Sequence, residues 1–239
     1  MKNNINIISI ADENEVLHES VKKLNLLLEK NKDIPILLLL SGGSSLQLIE
    51  GIEAKYLTRS LTVTALDERY SSDEKVNNFA QIAHSDFYEM LMRHGANVID
   101  TRVHHDESQN DLAKRYEEGL RTWISKNPKG KIIATMGIGE DAHIAGIVPH
   151  NNEVHLFNKL FDSSNWIASY DAGDKNPYPE RVTTTLTFLR KIDHAVVYVV
   201  GDNKKEALDN TLREENNLHT FPARIVHQMK DVHIYTDQT

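Results

Sequence analysis

The run Ile36–Leu40 constrains the fold more than any other feature of the chain, because every one of its residues is apolar. A strand with one face in water alternates polar and apolar residues. A continuous apolar run is instead typical of a parallel strand that is buried on both faces. Such a strand requires a sheet covered by helices on each side. The run therefore favours an α/β architecture.

Other segments of the chain alternate between strand and helix patterns. The patterns predict further strands at residues 5–10, 61–66, 131–136, 182–187, 195–200 and 232–235. They predict helices after a cap at Asp12 or Asn14 and at residues 44–54, 76–94, 111–125 and 204–213. This alternation indicates a mostly parallel, Rossmann-like sheet with helices on both faces. Residues 171–180 are predicted to form a loop within a single domain that spans residues 1–239.

The composition excludes several classes of function. The chain of 239 residues has no cysteine and a formal net charge of -8. Disulfides, thiolate metal sites and a cysteine nucleophile are therefore excluded, and we expect a cytoplasmic protein. The negative charge argues against broad binding to nucleic acid or to an anionic membrane. A pocket with a few convergent donors can still bind an anionic small molecule.

A glycine turn follows the apolar run and consists of Ser41, Gly42, Gly43 and Ser44. Glycines let backbone N–H groups approach a phosphate, and the start of a helix adds a partial positive charge. The turn is therefore a candidate phosphate loop. The alternative is an ordinary turn in which a serine caps the following helix.

A second glycine turn carries an acid and a base. Asp141 and His143 follow Gly137 and Gly139 at the end of the predicted strand 131–136. A neutral imidazole accepts a proton near pH 7, and a neighbouring carboxylate can orient it. This position favours an acid/base pair over a structural histidine. No metal is expected, because a His–Glu–x–x–His motif is absent.

Three further segments place charged residues at strand ends. Residues 67–69 follow one predicted strand, Arg181 and Thr183 alternate along another, and Lys204 opens a predicted helix beside Lys205. An arginine fork suits a phosphate, and ligands of α/β proteins bind at the carboxyl ends of strands. The alternatives are a solvated loop with an ion pair, an edge strand with an exposed arginine, and an ordinary helix start.

Together these segments resemble, in order and over nearly the whole chain, the family of the glucosamine-6-phosphate deaminases and 6-phosphogluconolactonases. The resemblance rests on five motifs: Ser41-Gly-Gly-Ser44, Asp67-Glu-Arg69 followed by Asn77-Asn78, residues 137–143, Arg181-Val-Thr-Thr-Thr185, and Gly201-Asp-Asn-Lys204. It implies a NagB-like fold and hydrolysis of 6-phospho-D-glucono-1,5-lactone to 6-phosphogluconate in the oxidative pentose phosphate pathway. It also implies a small-molecule sugar phosphate as the partner, no cofactor, and a monomer or a homodimer.

The resemblance assigns a role to each candidate residue. His143 is expected to take a proton from water, Asp141 to orient the imidazole, and Arg69 to contact substrate oxygens. The phosphate is expected to contact Ser44, Arg181, Lys204 and the backbone of Gly42 and Gly43. The remaining residues expected in the substrate site are Ser41, Asp67 and Thr183.

Two positions separate the branches of the family. Deaminases typically have tyrosine at the position of Arg69 and glutamate at the position of Val148, so the lactonase branch is favoured. Gly146 and Ala142 depart from the serine and glycine that are usual in lactonases. If the turn requires a positive φ, Ala142 would add strain of roughly 1–2 kcal/mol. A sugar-phosphate isomerase or deaminase and a non-catalytic sugar-phosphate sensor stay as alternatives.

Overall fold

The computed structural model describes residues 4–215 and 217–238. The strands in these residues are β1 (Asn4–Ser9), β2 (Ile36–Leu40), β3 (Leu61–Ala65), β4 (Asp67–Arg69), β5 (Asn97–Val98), β6 (Lys131–Gly137), β7 (Ile167–Asp171), β8 (Glu180–Thr184), β9 (His194–Val199) and β10 (Asp231–Thr236). The α-helices are α1 (Glu13–Lys30), α2 (Asn78–Ala83), α3 (Asp86–Arg93), α4 (Gln109–Lys126), α5 (Val154–Phe161), α6 (Leu186–Leu189) and α7 (Lys205–Leu212). Short 3₁₀ helices cover Gly43–Gly51, Ala54–Tyr56, Gly173–Lys175, Asp202–Lys204 and Pro222–Gln228.

The main sheet is parallel throughout and has seven strands in the described part of the chain, in the order β1-β10-β9-β6-β2-β3-β5. Two apolar cores lie on its two faces. Leu37 and Leu39 pack into one core, whereas Leu38 and Leu40 pack into the other. All four side chains are fully buried. The apolar run in β2 thus has no face in water, which confirms the predicted sheet with helices on both sides.

A smaller antiparallel sheet, in the order β4-β8-β7, was not predicted. Only Leu66 separates β3 from β4, and its N–H donates to Leu40 O at 2.8 Å while its carbonyl accepts from Thr184 N at 3.3 Å. The chain therefore passes directly from one sheet into the other. Residues 67–69 form a strand rather than a solvated turn, and β8 is the central strand of its sheet rather than an edge.

Local side-chain hydrogen bonds explain three other differences. The predicted helix 76–94 is two helices, because Ser85 donates to Ile82 O at 2.6 Å and accepts from Tyr88 N at 3.3 Å. Thr185 caps α6, so the predicted strand 182–187 ends at Thr184. The predicted helix 44–54 is a 3₁₀ helix, in whose first turn Ser45 donates to Gly42 O. Serine and threonine bonds of this kind compete with regular helix hydrogen bonding.

The other predicted helices and strands are confirmed within about two residues at each end, and Asp12 rather than Asn14 caps α1. The strands β5 and β7 and the helix α5 were not predicted. Residues 172–179 form the predicted loop, and the strands on either side of it pair with each other. None of the described helices combines the length and the apolar character that a membrane span requires.

The fully buried carboxylate of Glu68 fixes the path of the chain between β4 and α2. It accepts hydrogen bonds from Arg69 N at 2.9 Å, Phe79 N at 3.0 Å and Thr101 Oγ1 at 2.9 Å, and also from Asn78 N. Burial raises the pKa of Glu68 to about 8, although the hydrogen bonds from Phe79, Asn78 and Thr101 act to lower it. Glu68 thereby fixes the backbone at Arg69 and Asn78.

At about pH 9, where Glu68 with its pKa of about 8 is ionised, the substitution Glu68→Gln should destabilise the protein by about 2–3 kcal/mol, because an amide NH₂ would face N–H donors in either orientation. We expect the melting temperature to fall by roughly 5–10 °C in thermal unfolding. Glu74→Gln is the control, because Glu74 forms an exposed pair with His84 and should shift the transition little. An unchanged melting temperature for Glu68→Gln would show that these hydrogen bonds do not stabilise the fold.

Candidate active site

Most of the predicted site residues line one cleft at the carboxyl ends of β2, β3 and β6. The cleft has a volume of about 240 Å³, which suits a small molecule. The predicted residues that line it are Ser41, Gly42, Gly43, Asp67, Arg69, His143 and Arg181. The structure therefore brings together segments that are far apart in the sequence, from Ser41 to Arg181.

The turn that carries His143 is held by backbone hydrogen bonds and by a neighbouring strand. Gly139 N donates to His143 O at 2.9 Å, and Ala142 N donates to Gly139 O at 2.9 Å. Gly146 N donates to Thr183 Oγ1 at 3.0 Å, and Tyr170 donates its hydroxyl to Gly146 O at 2.5 Å. These contacts fix the loop against the small sheet and so define where the imidazole lies.

Two alanines in this turn have left-handed backbone conformations. Ala142 has φ 61° and Ala145 has φ 51°. The turn therefore does require a positive φ at residue 142, where the family usually has glycine. A left-handed alanine costs roughly 1–2 kcal/mol, and the surrounding hydrogen bonds offset this strain.

Asp141 and His143 form a short hydrogen bond that defines the roles of the two ring nitrogens. His143 Nδ1 lies 2.6 Å from Asp141 Oδ1, which also accepts from His143 N at 3.1 Å. Burial alone would raise the pKa of Asp141, but the contacts with His143 outweigh it and lower the pKa. An ionised Asp141 accepts a hydrogen bond from Nδ1–H, so Nε2 of the neutral ring is the basic nitrogen. His143 lines the cleft with its side chain 36% exposed.

Two arginines concentrate positive charge in the cleft. Arg69 and Arg181 are register partners in the antiparallel pair β4–β8, so their side chains start on the same face. Their Nε atoms are buried and have no hydrogen-bond partner among the described residues. Two like charges directly opposite each other are unfavourable, by roughly 0.2–1 kcal/mol. The arrangement therefore favours binding of an anion.

Asp67 neutralises this charge only partly. Its Oδ2 lies 3.5 Å from Arg181 Nη1, and both side chains are buried. Burial raises the pKa of Asp67, although Arg181, Arg69 and His143 act to lower it. One carboxylate thus lies beside two guanidinium groups in the lining of the cleft, so its neutralisation of them is partial.

The first glycine turn contributes backbone to the cleft, because Gly42 and Gly43 line it and Gly43 has φ +66°. Glycine adopts this left-handed conformation without strain. Ser44 is exposed and does not line the cleft.

Three more predicted residues do not line the cleft. Asp141 is hydrogen-bonded to His143, which lines the cleft. The hydroxyl of Thr183 accepts a hydrogen bond from Gly146 N and donates one to Thr184 O. Lys204 ends a 3₁₀ turn whose Asn203 donates to Glu140 beside the second glycine turn.

The cleft also contains residues that were assigned no role from the sequence, although Asn78 belongs to one of the five motifs. Asn78, Ala145 and residues 176–178 complete its lining. Asn78 donates its side-chain N–H to Asp67 O at 3.0 Å and thereby ties α2 to β4. Residues 176–178 belong to a segment whose prolines predict only a turn, and contact with the cleft depends on how that loop folds back.

The comparisons with known proteins agree with this fold and cleft. Residues 11–235 match the sequence model of the family described as glucosamine-6-phosphate isomerases/6-phosphogluconolactonase. The chain therefore belongs to this family.

Individual relatives come from both branches. A 6-phosphogluconolactonase from Nostoc sp. is 26% identical over 193 residues, which cover 78% of this chain and 75% of that protein. A glucosamine-6-phosphate deaminase from Staphylococcus saprophyticus is 26% identical over 198 residues, covering 77% and 79%. The solved 6-phosphogluconolactonase from Plasmodium vivax has a TM-score of 0.77 at 18% identity, with 99% and 91% of the two chains covered. This structural likeness confirms the expected fold.

The substitution Gly139→Ala should displace the imidazole, because a Cβ at this position would lie 2.0 Å from His143 Nδ1. We expect the hydrogen-bonded Nδ1 proton of His143 to shift or disappear in NMR spectra. Gly137→Ala is a matched control, because its Cβ would lie 3.6 Å from the nearest atom, Ser45 Oγ. An unperturbed His143 signal in Gly139→Ala would contradict this geometry.

Relief of backbone strain gives a separate test. Ala142→Gly should stabilise the protein by about 0.5–1 kcal/mol, because relief of the left-handed strain exceeds the entropic cost of glycine. The same change at Ala113, inside α4, should destabilise by about 1 kcal/mol. Urea unfolding measures both. A loss of stability in Ala142→Gly would show that residue 142 is not strained.

Proposed function

We propose that this protein hydrolyses 6-phospho-D-glucono-1,5-lactone to 6-phosphogluconate, the lactonase step of the oxidative pentose phosphate pathway. One observation carries the proposal: an imidazole whose Nδ1 is held by Asp141 lines the same cleft as two arginines, and the Nε atoms of both arginines have no partner in the described part of the chain. A general base beside an anion site is what hydrolysis of a phosphorylated lactone requires. The likeness to the Nostoc lactonase supports the same reaction.

The phosphate binds at the glycine turn and the arginines. Arg181 and Arg69 donate to its oxygens, and the backbone of Gly42 and Gly43 closes the site from the other side. Ser41, Asp67 and Asn78 complete the wall around the substrate. Binding the phosphate places the lactone carbonyl beside His143 and lowers the entropic part of the barrier. Ser44 and Lys204 do not line the cleft, so they would contact the phosphate only from the rim of the cleft.

Hydrolysis then needs one base and one acid, and His143 serves as both. Nε2 takes a proton from water while the water oxygen attacks C1, and the carbonyl electrons move onto oxygen. The guanidinium of Arg69 has five N–H donors, so it stabilises this oxyanion while it also donates to the phosphate. When the intermediate collapses, the bond from C1 to the ring oxygen breaks and that oxygen takes the proton from the imidazolium. Asp141 stabilises the imidazolium between these steps.

The proposal also covers the domain organisation, the location, the oligomeric state and the cofactor requirement of the protein. Residues 1–239 act as one catalytic domain, in the cytoplasm, as a monomer or a homodimer, on a small sugar phosphate. No cofactor takes part in the mechanism.

Deamination of glucosamine 6-phosphate is the second candidate, because the Staphylococcus deaminase matches as much of the chain. The residue at the position of the deaminase glutamate is Val148, which is buried and cannot transfer protons. Arg69 likewise replaces the tyrosine of that branch. We therefore favour the lactonase. Release of ammonia from glucosamine 6-phosphate would reverse this preference, and binding of 6-phosphogluconate without faster lactone hydrolysis would indicate a sensor.

The substitution His143→Ala should lower the rate of lactone hydrolysis by about 10²–10⁴-fold, because it removes the general base. The protein should stay folded, since the imidazole is partly exposed. An NMR time course of lactone consumption, corrected for spontaneous hydrolysis, measures the rate. His155→Ala is the control, because His155 is exposed on α5 and should keep wild-type activity. A folded His143→Ala protein with wild-type turnover would rule out this mechanism.

A further inference from the structure

The loop 172–179 lies against both arginines of the cleft. Asn176, Pro177 and Tyr178 line the cleft together with Arg69 and Arg181. The ends of the loop are tied together, because Ala172 N donates to Pro179 O at 2.8 Å and the flanking strands β7 and β8 are paired. The loop is thus a fixed connection that brings polar and aromatic groups to the guanidinium groups.

One oxygen of Asn176 joins the loop to Arg181. Asn176 Oδ1 accepts from Arg181 Nη2 at 2.6 Å and from Tyr178 N at 3.1 Å. Asp67 lies 3.5 Å from Nη1 of the same guanidinium. Arg181 is therefore oriented from two sides, while its Nε has no partner among the described residues.

An aromatic contact orients the second arginine. The ring centroid of Tyr178 lies 4.9 Å from Arg69 Cζ, a distance at which a cation is attracted to the face of a ring. The backbone N–H of Tyr178 is bound by Asn176. The contacts to the two arginines thus share one loop conformation.

The neutrality of Asn176 matters as much as its hydrogen bond. A carboxylate at this position could accept the same two hydrogen bonds, but it would neutralise Arg181 and compete with a bound anion. An amide oxygen orients the guanidinium and leaves its charge available.

We propose that Asn176 and Tyr178 are positioning residues: Asn176 holds Arg181, and Tyr178 holds Arg69, in the orientations that bind the phosphate of the substrate. This inference rests on the proposed function, in which both arginines bind that phosphate. It predicts that changes in the loop act on anion affinity and KM rather than on the chemical step.

Binding of inorganic phosphate, measured by calorimetry at constant ionic strength, tests the proposal directly. Asn176→Ala should weaken binding about fivefold, because Arg181 keeps its charge and loses one of the two contacts that orient it. Asn176→Asp should weaken it on the order of tenfold or more, although it keeps both hydrogen bonds. A structural role alone predicts the opposite order, with Asn176→Asp similar to the wild type. In lactone hydrolysis, Asn176→Ala should raise KM about as much as it weakens phosphate binding, with little change in kcat.

Matched variants separate the aromatic contact from general effects on the loop. Tyr178→Leu should weaken phosphate binding, and Tyr178→Phe should restore it because the ring is retained. Asp174→Ala changes an exposed residue of the same loop and should bind phosphate as the wild type does. Circular dichroism tests whether each variant is folded. If Asn176→Ala does not fold, Asn176→Asp still tests the proposal.

The outcomes distinguish this inference from the proposed function. Wild-type phosphate affinity in a folded Asn176→Asp protein, or no phosphate binding by the wild-type protein, overturns the positioning role. If the wild-type protein does not accelerate lactone hydrolysis but the variants bind phosphate in the expected order, the lactonase proposal fails and the positioning role stands.

Discussion

The antiparallel pairing of β4 with β8 is the constraint on which the whole cleft depends. The pairing sets Asp67 opposite Thr183 and Arg69 opposite Arg181. Thr183 then binds Gly146 N in the loop that carries His143. The pairing of β4 with β8 therefore fixes the distance between the two arginines of the cleft and His143. Because only Leu66 separates β4 from β3, the same ladder is also anchored to the main sheet.

The cleft combines features that lower the stability of the folded protein. Two arginines face each other, a carboxylate is buried beside them, and two alanines have left-handed backbone conformations. The facing arginines and each strained alanine cost on the order of 1 kcal/mol, and burial of the carboxylate costs more. The rest of the structure compensates through the two apolar cores and through hydrogen bonds such as those to Glu68. Strain and unpaired charge concentrated at one place are typical of a functional site.

The sequence predicted the main sheet because its signal is local: most of its strands are short segments rich in apolar or β-branched residues, bounded by glycine or polar residues. It also predicted most of the cleft, since segments that follow parallel strands meet at one edge of the sheet. The small sheet could not be predicted in this way, because β4 has only three residues, all charged. The roles of Asn176 and Tyr178 depend on how a loop folds back over β8, and no local pattern contains that information. Lys204 matches its motif but does not line the cleft, because its position depends on how its 3₁₀ turn packs rather than on the motif.

The central claim is that one anion site and one oriented imidazole act on the same molecule. A crystal structure of the protein with 6-phosphogluconate tests it most directly. We expect the phosphate between Arg69, Arg181 and the backbone of Gly42 and Gly43. The C1 carboxylate should lie within hydrogen-bond reach of His143 Nε2, roughly 2.6–3.2 Å, while Nδ1 stays bound to Asp141. A phosphate bound away from the two arginines, or a carboxylate outside reach of His143, would contradict the account.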